Sequence, residues 1–148
     1  TGDYILAQSL QLITEVKQPL THQLLSKTIV EVCLGEIEQI RDKYHFEQTV
    51  TTYFRRIKRK TALLIATSCQ LGGVVAGVDE KIHKSLFRFG YYVGMSYQIT
   101  DDILDFVASE KVLGKPAGSD LKHGNITMPV LFALRDPELK KEIVKLLN

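Results

Sequence analysis

The sequence predicts an all-α fold, and three observations predict it. Prolines stand only at positions 19, 116, 129 and 137, so long intervals are free to be helical. Apolar residues recur near the 3.6-residue period over those intervals, while strand signals are scarce. The 148 residues are 45% hydrophobic and 24% charged, the composition of a globular chain long enough to bury one core.

The elements follow in order. Leu24, Leu25, Thr28, Val32, Leu34 or Gly35, and Ile40 mark a helix over 21–42, and a loop through 43–47 follows. From Thr49, TTYFRRIKRKTALLIATSCQLGGVV is charged in its first half and apolar in its second, and Gly72, Gly73 and Gly77 mark its far end. Residues 80–107 hold no proline and are apolar all round, the pattern of a central, fully packed helix. SEKVLGKPAGSDLKHGN reads as a long loop. Thr127-Met128-Pro129 opens a short helix to about residue 135. Asp136-Pro137-Glu138 starts another, with an N-cap and a proline at the first helical position. The chain opens in mid-pattern on YILAQSLQLI and stops with its last helix barely begun. It is therefore expected to be a fragment of a single domain.

Several function classes drop out. The net charge of +2 does not call for a polyanionic partner, and no apolar run approaches the roughly 18 residues of a membrane span. The N-terminus lacks a secretory signature. Cys33 and Cys69 lie in apolar helical contexts and are expected to be buried and reduced, which fits a cytoplasmic protein. His22, His45, His83 and His123 show no paired ligand spacing, which argues against zinc, and neither a P-loop nor a nucleophile elbow is present. Tyr53 and Phe54 fit a core better than a stacking platform, so no nucleic-acid partner is expected.

The chemistry sits in SYQITDDILDF, where Asp101, Asp102 and Asp105 stand among residues that want burial. Burying an unpaired carboxylate is very costly. Asp101 and Asp105 lie one turn apart on one helical face with Asp102 beside them, and steps of three and four backward reach Gln98, Gly94, Tyr91 and Phe87. Such a stripe could line a cavity that is oily at depth and anionic at its mouth, with Gly94 allowing close approach. Three carboxylates this close repel unless a cation intervenes, and hard oxygen ligands suit Mg²⁺ bridging to substrate phosphates. The competing reading is a solvated helix N-terminus capped by Thr100.

Phosphate chemistry also needs fixed cations. Lys115 lies in the glycine-bearing loop GKPAGSD, and Lys60, followed by Thr61, sits where a polar segment turns apolar. Arg55, Arg56, Lys58, Arg59 and Lys60 read equally as a solvated basic face. Glu36 and Gln39 are either a satisfied buried pair or a contribution to the same cavity.

QITDDILDF resembles the second aspartate-rich motif, D-D-x-x-D, of the trans-isoprenyl diphosphate synthases. GDY at 2–4, GEIEQ at 35–39, KTA at 60–62, FG at 89–90 and GKPAGSDLKHGNITMPVL at 114–131 occur in that family's order and spacing, so the resemblance covers essentially the whole chain. More narrowly, VEVCLGEIEQIRDKY and YFRRIKRKTALLIATSCQLGG are similar to the catalytic component of two-component heptaprenyl diphosphate synthases, whose product supplies the menaquinone side chain.

The resemblance implies an isoprenoid-synthase helical bundle, here without its N-terminal helices and C-terminal end. It implies a prenyltransferase that elongates an allylic diphosphate, farnesyl diphosphate, with isopentenyl diphosphate. Asp101 and Asp102 would bind Mg²⁺, with Asp105 as ligand or supporting partner. Lys60 and Lys115 would hold the departing diphosphate, and Thr61 and Gln98 would lie near the nascent cation. Asp120 would act in the closing loop, and Phe87 and Tyr91 would belong to the wall along which the chain grows. A dimer is implied, including a heterodimer with a dissimilar regulatory subunit, and so is release of product at the membrane periphery.

Two departures matter. The upstream aspartate-rich motif and the arginines and lysine that hold isopentenyl diphosphate are not among these residues, so this stretch alone is expected to be inactive. Asn125 stands where many members carry lysine, a contact either lost or taken over by Lys122. Two rivals are a terpene cyclase and a non-catalytic helical partner subunit. A cyclase does not generally pair D-D-x-x-D with the KT and GKxxGxD elements, and the retained polar set argues against decay into a mere partner.

Overall fold

The computed structural model describes residues 1–109, 111, 114 and 116–147. Its helices are α1 (Gly2–Ile13), α2 (Pro19–Arg41), α3 (Val50–Ile57), α4 (Leu63–Val75), α5 (Glu80–Val107), α6 (Ser119–Lys122), α7 (Met128–Ala133) and α8 (Pro137–Leu147). A five-residue π-helical turn, Lys58–Ala62, joins α3 to α4. No strand occurs among the described residues, as the all-α reading requires.

Local chemistry sets most boundaries. Pro19 begins α2, and the Thr49 hydroxyl accepts the Thr52 N–H at 3.1 Å to cap α3. Asp136 Oδ1 accepts the N–H groups of Glu138 at 2.8 Å and Leu139 at 3.1 Å, the N-cap expected for α8. Gly77, at φ +72, follows the end of α4. Beyond the left-handed Gly118, the expected loop over 109–125 takes up a helical turn, α6.

Helix α4 packs on α5 along its length and on α2 at its adjacent side. A Cβ on Gly94 would lie 2.6 Å from Ala62 Cα, and one on Gly90 would lie 2.8 Å from Ala66 Cα. The missing side chains let the α5 backbone rest directly on the π turn and the start of α4. This corrects the expected use of Gly94, whose space is filled by protein. The same contact explains why Phe87, Tyr91, Gly94 and Gln98 do not form one cavity wall. Counting in threes and fours followed the seam where α5 meets α4, and a seam is closed by its neighbour. The apolar core gathers at the other end of α5, where Tyr53 and Ile57 of α3 meet Ile126, Val130 and Leu131.

Three further expectations change. Helix α5 is not packed all round: Phe89, Tyr92, Val93 and Tyr97 are exposed. Cys33 is exposed and Cys69 half-buried, both as free thiols. Cys33 lies among Val30, Leu34 and Ile37 on an apolar but open face of α2, so an apolar context did not mean burial. The basic run is not uniformly solvated, since Arg56 is buried and Arg59 bonds Glu31 at 2.9 Å and Glu38 at 2.6 Å.

The glycine contacts yield a paired prediction. Gly94→Ala forces atoms together at Ala62 and is expected to cost about 1–3 kcal/mol. Gly72→Ala, with nothing within 4 Å of the new carbon, is expected to stabilise by roughly 0.5–1 kcal/mol through helix propensity. Urea unfolding midpoints of the two variants should move in opposite directions.

Candidate active site

A cavity of about 390 Å³ opens where α2, α3, the π turn, α5 and the 120–127 segment converge. The π turn delivers Lys60 to it. A π insertion rotates the residues after it relative to an uninterrupted α-helix, and such turns are frequent at functional sites. Helix α5 adds Tyr97, Gln98, Asp101 and Asp102, α2 adds Gln39, and the last segment adds Asp120, Asn125 and Thr127.

The polar side chains form one connected chain. Thr61 Oγ1 donates to Gln98 Oε1 at 2.6 Å, and Gln98 Nε2 donates to Asp102 Oδ1 at 2.9 Å and Asp101 Oδ2 at 3.3 Å. Tyr53 OH donates to Asp102 Oδ2 at 2.7 Å. Arg56 sits over the Tyr53 ring, donates to Gln48 Oε1 at 2.7 Å and donates to the Ile126 carbonyl. Helix α5 runs unbroken through Thr100, so the acids do not occupy a solvated helix start.

The three aspartates divide their work. Asp101 is exposed at the rim, and Asp102 is buried beneath it. Asp105 does not line the cavity; its Oδ2 accepts the Asp120 N–H at 3.2 Å and its carbonyl accepts the Gly118 N–H at 2.7 Å. It thereby orients the turn that presents Asp120. Burial pushes the Asp102 carboxyl above its ordinary range against the bonds from Tyr53 and Gln98, and the charges of Asp120 and Asp101 add to the rise. Burial lowers Arg56, and the Asp102 charge opposes that.

A cation is the natural relief for this crowding. The donors are hard carboxylate oxygens, and among the described residues no three acidic, imidazole or thiol groups converge into a complete cage. Carboxylates facing a wet cavity suit Mg²⁺, which keeps waters and takes phosphate oxygens. The set fits such an ion.

Beside the rim runs a shallower groove of about 720 Å³ lined by Phe89, Tyr92, Val93, Ser96 and Leu104, which shares Tyr97 and Asp101 with the cavity. Oily wall and acidic rim do adjoin, but on a face of α5 rotated from the stripe first read. Phe87 lines a different cavity, and Tyr91 packs edge-on against Tyr92. Lys115 lies outside the described residues.

Sequence reasoning missed Arg56 and the hydroxyl of Tyr53 as site components. Tyr53, Arg56 and Ile57 share one face three and four residues apart, and that spacing could have separated Arg56 from its solvated neighbours. Of the undecided pair, Gln39 enters the cavity and donates to Asn125 Oδ1 at 3.3 Å, while Glu36 is exposed. Lys122 does not line the cavity, and its carbonyl accepts from Tyr44 OH at 3.3 Å. The Tyr44 ring occupies the place of a Gly124 side chain, with ring carbon at 2.6 Å from where a Cβ would stand, and clasps the Asn125 segment to the end of α2.

The family described as Polyprenyl synthetase matches the chain over residues 1–148. Heptaprenyl diphosphate synthase component 2 of Bacillus subtilis (strain 168) is 66% identical over 148 residues, covering 100% of this chain and 42% of that protein. Its counterpart in Geobacillus stearothermophilus is 64% identical, covering 97% and 45%. Among solved structures, heptaprenyl diphosphate synthase from Staphylococcus aureus superposes with a TM-score of 0.92 at 46% identity, over 97% of this chain and 46% of that one. The chain thus spans less than half the length of these relatives.

Two variants test the network. Burial, then the bond to Asp102 and its charge, raise the Tyr53 phenol above its ordinary value. An unfolded phenol ionises near pH 10, so the folded chain keeps a proton that the unfolded chain loses, and this contribution to stability falls as pH rises past about 10. Tyr53→Phe should cost about 1–3 kcal/mol at pH 8, and the deficit should narrow by about pH 11 in urea titrations. Thr127 Oγ1 is buried with no hydrogen-bond partner among the described residues. Thr127→Val should therefore be neutral or stabilising by about 1 kcal/mol in the same assay.

Proposed function

Since the chain belongs to the polyprenyl synthetase family, we propose that it carries the leaving-group half of a prenyl-elongating active site. The reaction joins an allylic diphosphate, farnesyl diphosphate, to isopentenyl diphosphate and yields a long all-trans polyprenyl diphosphate. The relatives named for heptaprenyl diphosphate synthesis favour the heptaprenyl product, destined for menaquinone. The observation that carries the reading is the meeting of Lys60 with the chain from Thr61 through Gln98 to Asp102 in one cavity.

Breaking the allylic C–O bond leaves a carbocation and a diphosphate. Lys60 places an ammonium where the diphosphate collects its negative charge. Asp101 and Asp102 would hold Mg²⁺, which when bound neutralises the leaving diphosphate. Lys115 is assigned the same anion. Gln98, fixed by Thr61 at one end and Asp102 at the other, turns its amide dipole toward the cationic carbon without a proton to lose. The double bond of isopentenyl diphosphate then forms the new C–C bond, and loss of a proton restores neutrality in a chain five carbons longer. Phe89, Tyr92 and Val93 offer an apolar surface beside the rim along which the hydrocarbon chain would lie. The roles first assigned to Phe87 and Tyr91 pass to these neighbours.

The name "component 2" carried by the relatives supports a dissimilar partner subunit. No helix among the described residues is long and apolar enough to cross a membrane.

The complete protein, assembled with its partner, is assayed with radiolabelled isopentenyl diphosphate, farnesyl diphosphate and Mg²⁺. Lys60→Ala and Asp102→Ala should each lower kcat by about 10²–10³, and chelation should abolish turnover. Chain lengthening that persists undiminished in both variants would sink the assignment.

A further inference from the structure

A cavity of about 670 Å³ between α2, the π turn, α4 and α5 shares no lining residue with the acid-rimmed one. The π turn divides its cations between the two: Lys60 faces the acids, while Lys58 and Arg59 face this second space. Lys27 and Arg88 face it as well, and Lys27, Lys58 and Arg88 form no ion pair among the described residues. Its single lining carboxylate, Glu31, is bound by Arg59 at 2.9 Å. Lys27, Lys58 and Arg88 are all exposed, and their like charge at the mouth of one space favours entry of an anion.

The floor asks for the same kind of ligand. Thr28 and Thr67 are 6% and 3% exposed, and their hydroxyl oxygens lie 2.7 Å apart. One hydroxyl donates to the other, and the acceptor's own hydrogen has no acceptor among the described residues. This buried hydroxyl pair lines a cation-rimmed space whose one carboxylate is already bound. Leu24, Leu63 and Phe87 add apolar wall, and the rest of the lining is Gln70, bonded to His83, and Lys84, paired with Glu80. An acceptor-rich anionic head with a hydrocarbon tail satisfies every part, and the volume lies within the usual range for small-molecule sites.

We infer that this cavity binds one phosphate-headed amphiphile, its head on Lys27, Lys58, Arg88 and the threonine pair and its tail along Leu24, Leu63 and Phe87. The inference does not depend on the proposed catalytic role. Its ligand is either a free alkyl or prenyl phosphate or an anionic lipid drawn from a bilayer.

The test uses the complete protein and dodecyl phosphate below its micelle concentration, measured by calorimetry. Lys60→Ala should leave one class of binding intact, and Lys58→Ala/Arg88→Ala should weaken that class by about tenfold or more. Lys17→Ala/Lys43→Ala, which removes the same charge from exposed positions elsewhere, should not. A diazirine-bearing alkyl phosphate on the unmodified protein provides a measurement that no folding defect can imitate, with labelling expected at Leu24, Leu63 or Phe87. Phosphatidylglycerol vesicles are compared with phosphatidylcholine vesicles by co-sedimentation. Pelleting lost in Lys58→Ala/Arg88→Ala identifies a bilayer lipid as the source, and no pelleting identifies the free amphiphile. Unchanged dodecyl phosphate binding in that variant, an equal loss in the lysine control, or labelling confined to other residues would overturn the inference.

Discussion

Backbone contact between α5 and the π turn is the constraint from which the site follows. Gly94 places no carbon between its helix and Ala62, so the two backbones meet at a distance that an ordinary side chain would forbid. Only at that separation can Thr61, one residue before Ala62, reach Gln98, one turn beyond Gly94, with a 2.6 Å hydrogen bond. Gln98 is then held at both ends, by Thr61 and Asp102, and the direction of its amide is no longer free. The π insertion is the second half of the device, because it sends Lys60 toward the acids while Lys58 and Arg59 turn elsewhere.

The acids illustrate how one short motif can perform three tasks. Asp101 stays at the wet rim, where it can take a hydrated ion. Asp102 goes under it and is held by Tyr53 and Gln98, an arrangement that fixes geometry while leaving the charge uncomfortable. Asp105 anchors the turn before Asp120 and so sets where a third carboxylate enters the cavity. Tight burial of polar groups limits the freedom of the site more than it adds stability, since each bond mainly replaces one that water would have made.

Much of this was legible from the residues. Helix positions, the caps at Thr49 and Asp136 and the grouping of Gln98 with Asp101 and Asp102 are local matters, set by periodicity and by which side chains can satisfy nearby N–H groups. The relation of Lys60 and Thr61 to the acids came from resemblance, since those residues lie 40 positions away and no spacing rule connects them. Where reading failed, the failure has one cause. Phe87 and Tyr91 were placed by an angle around a single helix, Cys33 by the apolarity of its neighbours, and Arg56 by the charge of its neighbours. Each of those properties depends on which other element lies against the face.

The sequence by itself determined that the chain is helical and where most of its helices start, and it led to the expectation that an acidic helix segment, a lysine-threonine pair and a glycine-bearing loop serve one chemistry. These follow from interactions within a few residues or from motif order. Only the tertiary structure decided that Gly94 is filled by Ala62, that Asp105 bonds the loop, that Phe89, Tyr92 and Val93 line a groove beside the acidic rim, and that Arg56 is buried while Lys58 is not. The physical reason is that burial and approach are properties of pairs of surfaces. A single strand of sequence specifies each surface but not, without folding, the one it meets.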